Sequence, residues 1–511
     1  MRLKIAARRS DLARLQAQMV ARALQARFEG LEIEFFFRES LGDQNLNQPL
    51  WQMPEKGVFT ADLRGELLRG ACDLVVHSWK DLPVDTGPET AVVATLPRAA
   101  VQDLLLVRKD RWPVVAATGR INILTSSPRR IRNLPGFLKE ALPASISTID
   151  FTPVRGNMQT RVRKMWQPDV DGLILARAAL ERLLEAAGPG EDEYAATRTA
   201  LREALGECRW MVLPVMESPS APAQGALAIE IASDRDDLRQ LLGEINCAAT
   251  FRAVQRERQI LRSHGGGCHQ AIGVNVLVRP YGEITVVRGL DEAGGDVSRT
   301  ELTPARPRPP RIAGDRLWPH SGDDQRWFRR ESLPVEPPPP GLAWWIARAD
   351  ALPEGWLAES AGGATGTGSD QIVWTSGLRT WQRLARRGVW VNGSAEGLGE
   401  QELPSIETLA GRSLEWVKLS HDEAGSRDEM RTLATYRLVE SGAALELDPE
   451  AHDYLFWTSG SNFRLALARA PWLREKIHFC GPGNTYRALV EAGIEPHVFL
   501  DQEQWRREMS L

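Results

Sequence analysis

Between Thr303 and Gly341 the composition changes abruptly to PARPRPPR … PVEPPPPG. Each proline fixes its φ and removes a backbone donor, so this density disfavours helix and sheet and favours polyproline II, a semi-rigid spacer. The stretch is therefore expected to part the chain into two bodies. A length of 511 residues agrees, because it exceeds what one hydrophobic core organises and predicts two to four domains.

On the N-terminal side, strands and helices alternate. Leu3–Ala7 reads as a strand; Ser10 then stands at an N-cap position before Leu12, Leu15, Met19, Ala23 and Leu24 at helical spacing. Leu31–Phe37 is a second strand. Ala61–Arg69 is a helix closed by Gly70, and DLVVH (Asp73–His77) is a buried strand. The pattern recurs with the strand Ile121–Leu124 before the helix Ser126–Leu134, and the strand Asp171–Ala176 before the helix Ala178–Ala187. Gly188–Glu193 reads as a loop, Ala226–Ile231 as a strand and Cys247–Arg262 as a helix running into Gly265–Gly267. Such an order predicts an α/β fold with mostly parallel, doubly wound sheets. Beyond the proline-rich stretch, IVWTSGLRTWQRLARRGVW from Ile372 and YLFWTSGSNFRLALARAPW from Tyr454 share a strand, W-T-S-G and a helix. One such repeat predicts a pair of similar α/β lobes.

A net charge of −4 and a pI near 6.2 offer no global attraction for nucleic acid or an anionic membrane, so neither is expected as a partner. Cys72, Cys208, Cys247, Cys268 and Cys480 are scattered without a C-x-x-C pair, which predicts neither a disulfide framework nor a zinc site. The opening MRLKIAARRSDLARLQ lacks a signal-peptide h-region, and no apolar run approaches membrane-spanning length. A cytoplasmic protein, with a monomer as the simplest state and no bound metal, is the expectation.

Arginine gathers at the ends of predicted strands and turns: Arg8, Arg129, Arg130, Arg155, Arg161 and Arg182. The carboxyl ends of strands are where open α/β sheets bind ligands, and the guanidinium fork suits carboxylates, so a ligand with several carboxylates is implied. Thr125 and Ser127 add hydroxyls beside Arg129 and Arg130 in TSSPRR. HSWKDLP places Ser78, Lys80 and Asp81 at the end of a buried strand, where an acid beside a lysine can hold its charge and stabilise a cation. Cys268 follows three glycines in HGGGCHQAIG, which leave its sulfur uncrowded and open to alkylation. The other four cysteines read as inert.

ARRSDLA, EKGVF, DLVVHSWKDLP, TSSPRR, VRGNMQTR, ILARAALERL, AQGALAIE and GGGCHQAIG together resemble the hydroxymethylbilane synthase (porphobilinogen deaminase) family, in the family's order, over about residues 1–300. The resemblance implies two periplasmic-binding-protein-like doubly wound lobes, residues 1–100 with 215–238 and residues 101–214. It implies a small α/β cofactor domain at 239–303, then the linker at 304–340. It implies a dipyrromethane cofactor joined to Cys268 as a thioether and porphobilinogen as substrate, four molecules being linked into hydroxymethylbilane with loss of ammonia. Asp81, with Lys80, would be catalytic. Arg8, Ser10, Lys56, Ser78, Thr125, Ser127, Arg129, Arg130, Arg155, Gly156, Arg161 and Arg182 would bind cofactor and substrate, Lys56 from a loop over the cleft. The chain departs from the family pattern at Pro54-Glu55, Pro128, Ala223, His269-Gln270-Ala271 and Arg177.

Residues 341–511 resemble uroporphyrinogen-III synthase through the paired W-T-S-G units and KIHFCGPGNTYRALVEAG. That resemblance implies a two-lobed α/β region with Thr375, Ser376, Thr458, Ser459 and Asn484 at its cleft. The fused enzyme would then also cyclise hydroxymethylbilane to uroporphyrinogen III. The alternatives are a synthase with a structural C-terminal half, or a non-catalytic protein that binds an anionic ligand, which would need neither Cys268 nor Asp81.

Overall fold

The computed structural model describes residues 1–39, 61–85, 87–185, 191–266, 270–320, 327–356, 371–400, 403–424, 430–443 and 447–511. The chain falls into two units: residues 1–277 with 285–300 and 407–412, and residues 278–284 with 301–406 and 413–511. No described helix is long and apolar enough to cross a membrane.

The first unit carries, in chain order, β1 (Arg2–Arg8), β2 (Glu32–Arg38), β3 (Leu74–Ser78), β4 (Thr90–Ala94), β5 (Asp103–Arg108), β6 (Arg120–Leu124), β7 (Thr148–Thr152), β8 (Gly172–Ala176), β9 (Cys208–Val212) and β10 (Leu227–Ala232). They form two five-stranded sheets, ordered β2-β1-β3-β10-β4 and β7-β6-β8-β5-β9. In the first, β1 is parallel to β2 and β3, whereas β10 is antiparallel to β3 and β4. In the second, β6 is parallel to β7 and β8, whereas β5 is antiparallel to β8 and β9. The two lobes thus share one topology, and the antiparallel strand of each is the first one formed after the chain crosses from the other sheet.

The physical basis is the expected one for strands covered on both faces. LLLV in β5 and GLILA in β8 are continuous apolar runs with every residue buried. Gly172 allows the two to meet, since a Cβ there would stand 2.5 Å from the Leu106 carbonyl oxygen. The helix Asp11–Arg27 buries Leu15, Val20 and Leu24. Leu3, Ile5, Val20, Leu24, Leu74, Val76, Ile229 and Ile231 join in one core, each contributing about 1.5–3 kcal/mol by leaving water. The helix Glu191–Gly206 begins inside Gly188–Glu193, the stretch read as a loop from its polar composition. Similarly, the helix expected over Ser126–Leu134 runs from Pro128 to Ala141.

After the helices Asp236–Gly243 and Ala248–Ser263 comes a sheet of β11 (Ile272–Arg279), β12 (Gly282–Leu290) and β13 (Asp296–Pro304), in that order. Glu257 on the second helix is fully buried and accepts from both terminal nitrogens of Arg98, at 2.7 and 2.8 Å. It also accepts the backbone N–H of Ala223 at 2.8 Å and of Val276 at 2.9 Å. One carboxylate therefore fastens both interlobe crossings and β11 to a single helix.

In the second unit, β14 (Leu317–Trp318), β15 (Phe328–Ser332), β16 (Ala343–Ile346), β17 (Val373–Thr375), β18 (Gly393–Ser394), β19 (Trp416–His421), β20 (Met430–Glu440), β21 (Tyr454–Trp457), β22 (Ile477–Cys480) and β23 (His497–Val498) make two sheets. Their orders are β14-β21-β22-β23 and β15-β20-β19-β16-β17-β18. This corrects the reading of residues 304–340 as a spacer alone, because β14 and β15 lie within it. Both are edge strands, and both are proline-free, which is how a proline-rich segment can still join a sheet.

Replacing Glu257 by Ala leaves the buried Arg98 guanidinium and two backbone N–H groups without their acceptor. The loss expected is about 3–5 kcal/mol for the first unit, read as an earlier first transition in denaturant-induced unfolding; a midpoint within error of wild type would refute it.

Candidate active site

β3 ends at Ser78, and the chain then makes a single 3-10 turn, Trp79–Asp81. Trp79 is buried against Leu82, Ala223, Ala226 and Val254, which fixes the turn and leaves Lys80 and Asp81 half-buried at the end of β3. Lys80 Nζ donates to Gln224 Oε1 at 3.2 Å. Burial pushes the Lys80 ammonium down to about 8, against the opposing pull of Asp81; Arg130 lowers it further.

Arg161 shows how many of the expected residues meet. Burial lowers its guanidinium to about 10, with Arg130, Arg155 and Arg8 adding to the fall and Asp81 resisting it. Residues at the end of β1 and following β3, β6 and β7 thus share one electrostatic environment. Asn157 caps the helix Met158–Met165 by accepting the Thr160 N–H, and Arg161 Nε turns back to donate to the Gly156 carbonyl at 2.8 Å. Gly156 has φ +117°, and a Cβ there would lie 2.6 Å from the Thr160 methyl, so the expected binding residue is first a backbone requirement.

TSSPRR opens the helix Pro128–Ala141, with Pro128 at a first-turn position where its missing N–H costs nothing. Arg129 and Arg130 are buried in that first turn, where the helix dipole disfavours cations. They are not free clamps. Arg129 donates to Asp103 Oδ2 at 2.7 Å and to the Pro219 carbonyl at 2.8 Å. Arg130 holds Asp103 with two donors, at 2.7 and 3.1 Å, and gives a third to the Ile174 carbonyl. Burial alone would raise the Asp103 carboxyl, but Arg129 and Arg130 outweigh it and hold it well below the usual carboxylate range.

Arg182 donates to the Gly225 carbonyl at 2.6 Å, and its buried Nε has no hydrogen-bond partner among the described residues. Burial pushes that guanidinium down to about 10, opposed by Glu181. Ser78 donates to Gln16 Oε1 at 3.0 Å, Thr125 is buried, and Ser10 and Ser127 occupy helix N-cap positions without a side-chain cap bond. Across the lobes, Gln159 and Thr197 both donate to Asp11 Oδ2, at 2.6 and 2.8 Å, and Arg14 pairs with Glu193. Lys56, Cys268 and the departures at Pro54-Glu55 and His269 lie outside the described residues. Cys72, Cys208, Cys247 and Cys480 are free. Burial pushes the Cys72 thiol to about 11 and the Cys208 thiol to about 12, as befits inert core positions. Cys247 is instead lowered, mainly by the Thr250 hydroxyl donating to its sulfur.

A family model described as "Porphobilinogen deaminase, dipyromethane cofactor binding domain" matches residues 3–240. The porphobilinogen deaminase of Syntrophomonas wolfei is 34% identical over 288 residues, covering 56% of this chain and 84% of that protein. That of Bordetella parapertussis is 32% identical over 340 residues, covering 66% of this chain and 98% of its own. The chain belongs to the porphobilinogen deaminase family. Its chemistry is the transferase synthesis of hydroxymethylbilane from porphobilinogen, in tetrapyrrole biosynthesis, with a dipyrromethane cofactor. Among solved structures, the methionine-binding protein MetQ is 8% identical with a TM-score of 0.26, covering 49% of this chain and 92% of that one.

The residues present fit such a cofactor. A crowd of partly desolvated cations, with the buried Arg182 Nε lacking a partner among the described residues, suits a group bearing several carboxylates. The departures from the deaminase pattern also find physical accounts. Ala223 replaces a glycine and adopts φ +67°, at a cost of about 1–2 kcal/mol, but its N–H is anchored on Glu257. The extra cation Arg177 pairs with Glu181 at 2.6 Å. Sequence reasoning missed Asp103, Gln224, Asp11 and Gln159; isolated polar residues at the head of an apolar run or a helix carry no signal of a partner remote in sequence.

In the second unit the two W-T-S-G repeats do form matching strand–helix pairs, β17 with Leu378–Arg386 and β21 with Gly460–Arg469. Their serines diverge. Ser459 caps its helix, accepting the Asn462 N–H. Ser376 makes no cap; it donates to Glu400 Oε1 at 2.7 Å and accepts Trp345 Nε1 at 2.8 Å. Glu400 is 3% exposed, and its Oε2 meets Lys418 Nζ at 2.6 Å. Burial raises the Glu400 carboxyl, but Lys418 and hydrogen bonds from Ser376 and Asn484 outweigh that and hold it below its ordinary value. Ser376 and Asn484 thus come together around an ion pair that the sequence did not single out. Thr375 is fully buried in its sheet with its hydroxyl toward the Gly393 carbonyl, and Thr458 is exposed at the end of β21.

Porphobilinogen consumption should fall as pH rises through about 8, because Lys80 loses its charge there in the free enzyme. Lys80→Arg keeps the charge at all accessible pH and should remove that alkaline limb from the kcat/KM profile. An unchanged limb in the variant would show that another group titrates.

Proposed function

We propose that the cleft around Asp81 performs the deaminase reaction with the roles its neighbours suggest. The observation that carries this reading is the environment of Arg161, in which the Asp81 carboxylate acts against the cations Arg8, Arg130 and Arg155. Porphobilinogen loses ammonia by cleavage of its aminomethyl C–N bond, leaving a cation that a fixed carboxylate stabilises. A pyrrole α-carbon of the growing chain then forms the new C–C bond and gives up a proton. Asp81 holds the cation, and Lys80 stands beside it for a carboxylate of the substrate. Arg8, Arg129, Arg130, Arg155, Arg161 and Arg182, with Ser10, Ser78, Thr125, Ser127 and the backbone at Gly156, bind the acetate and propionate groups. Lys56 joins them in binding cofactor and substrate. Cys268 would hold the dipyrromethane through a thioether, and that group would supply the pyrrole on which polymerisation starts.

For the second unit we propose cyclisation of hydroxymethylbilane to uroporphyrinogen III, between its two lobes. The hydrogen bond of Ser376 to the buried Glu400, with Asn484 at the same carboxylate, supports a polar centre maintained for a ligand. Joining the two activities raises the local concentration of a reactive linear product at its second site.

Asp81→Asn keeps the shape and removes the charge, so turnover should fall by a factor of roughly 10²–10³ while the protein folds and keeps its covalent cofactor mass. Near-wild-type kcat would take Asp81 out of the mechanism. In the intact chain, Glu400→Gln should leave porphobilinogen consumption unchanged and shift the oxidised product from the type III to the type I isomer on chromatography. Wild-type protein that releases only type I would overturn the cyclisation reading and leave the deaminase assignment standing.

A further inference from the structure

Asp103 heads β5, at the first crossing from one lobe to the other, and its side chain is fully buried. Its Oδ2 takes Arg129 Nη2 and Arg130 Nε; its Oδ1 takes Arg130 Nη2 and, at 2.9 Å, Gln224 Nε2. Gln224 stands on the second crossing, 1% exposed; its Nε2 also donates to the Val101 and Gln102 carbonyls, and its Oε1 accepts from Lys80 Nζ. An unbroken chain of hydrogen bonds therefore runs from the residue beside Asp81, through both crossings, to the arginine pair.

The charges in this chain are unusual. Two guanidiniums lie side by side in the first turn of a helix, sheltered from water, where they repel each other and the helix dipole. One carboxylate between two guanidiniums leaves a single net positive charge. The same bonds, with those to Pro219 and Ile174, fix both guanidinium planes. What the cleft meets is a pair with set orientation and about half its formal charge.

We propose that Asp103 is a positioning residue for elongation: it attenuates the arginine pair so that carboxylates of the growing chain are ordered yet can shift as each ring is added. This rests on the reading of Arg129 and Arg130 as carboxylate binders. A site at full charge would hold a polycarboxylate in one register, and the cost would appear in translocation and release more than in capture of the next porphobilinogen.

The test uses the full-length holoenzyme. Asp103→Asn preserves the side chain's shape and removes its charge. Its kcat should drop roughly tenfold or more with KM unchanged or lower, and intact mass during turnover should show protein carrying extra porphobilinogen units. Asp103→Asn combined with Arg130→Gln restores one net charge and should recover turnover relative to Asp103→Asn alone. A purely structural Asp103 predicts the reverse: additive loss in the double variant and no accumulated intermediates, and that result overturns the proposal. If Asp103→Asn does not fold, a double variant that folds and turns over supports it; failure of both to fold overturns it. Arg130→Gln alone with wild-type kcat and wild-type mass distribution would instead show that the arginines do not bind the chain.

Discussion

Glu257 is the constraint on which the first unit's geometry depends. Its carboxylate gathers Arg98 from the first crossing, Ala223 from the second and Val276 from β11, so two lobes and a third sheet are referenced to one helix. Breaking any one of those contacts would leave a buried donor without an acceptor, and the penalty for that exceeds the net gain from making the bond. The tolerated strain at Ala223 follows from the same logic. A left-handed alanine persists because its N–H has nowhere better to go than Glu257.

With the crossings fixed, the site can hold more like charge than an exposed surface would tolerate. Burial lowers the Arg161 guanidinium and Arg130, Arg155 and Arg8 lower it further, while the protein supplies counter-charge at selected points. Asp103 compensates Arg129 and Arg130, and Glu181 compensates Arg177. Arg182 Nε has no hydrogen-bond partner among the described residues. A buried cation with little counter-charge gains when a carboxylate binds it, so part of the electrostatic cost of burying it is returned on binding.

How much of this was legible in the sequence depended on whether the signal was local. DLVVH and DGLILA read as buried strands because strands covered on both faces need unbroken apolar runs, and they are β3 and β8. Arg129 and Arg130 were legible as a notable pair because two arginines after T-S-S-P have no core role by composition, although the structure buries both against one carboxylate. Their partner was not: Asp103 is 26 residues before Arg129, and an acid before LLLV looks like an ordinary strand boundary. The proline-rich stretch misled in the opposite direction. Its average composition excludes regular structure, yet FRRES and Leu317-Trp318 are short proline-free windows, and a sheet edge requires no more than that.

The two W-T-S-G repeats show why similarity of sequence underdetermines chemistry. A serine after a strand and before a helix is poised to cap that helix, and Ser459 does so. Ser376 has the same neighbours and a different partner, because Gly393–Glu400 brings a buried carboxylate within its reach. Once Glu400 is buried it needs several donors, and Lys418, Trp345, Ser376 and Asn484 are recruited to it. The helix Leu378–Arg386 is capped at Gly377 instead, which costs only roughly a few tenths of a kcal/mol relative to a serine cap. A duplicated unit can therefore keep its strand and helix and still gather a buried polar cluster on one side only, because a one-residue shift of the cap leaves Ser376 available to an ionised side chain from outside the repeat.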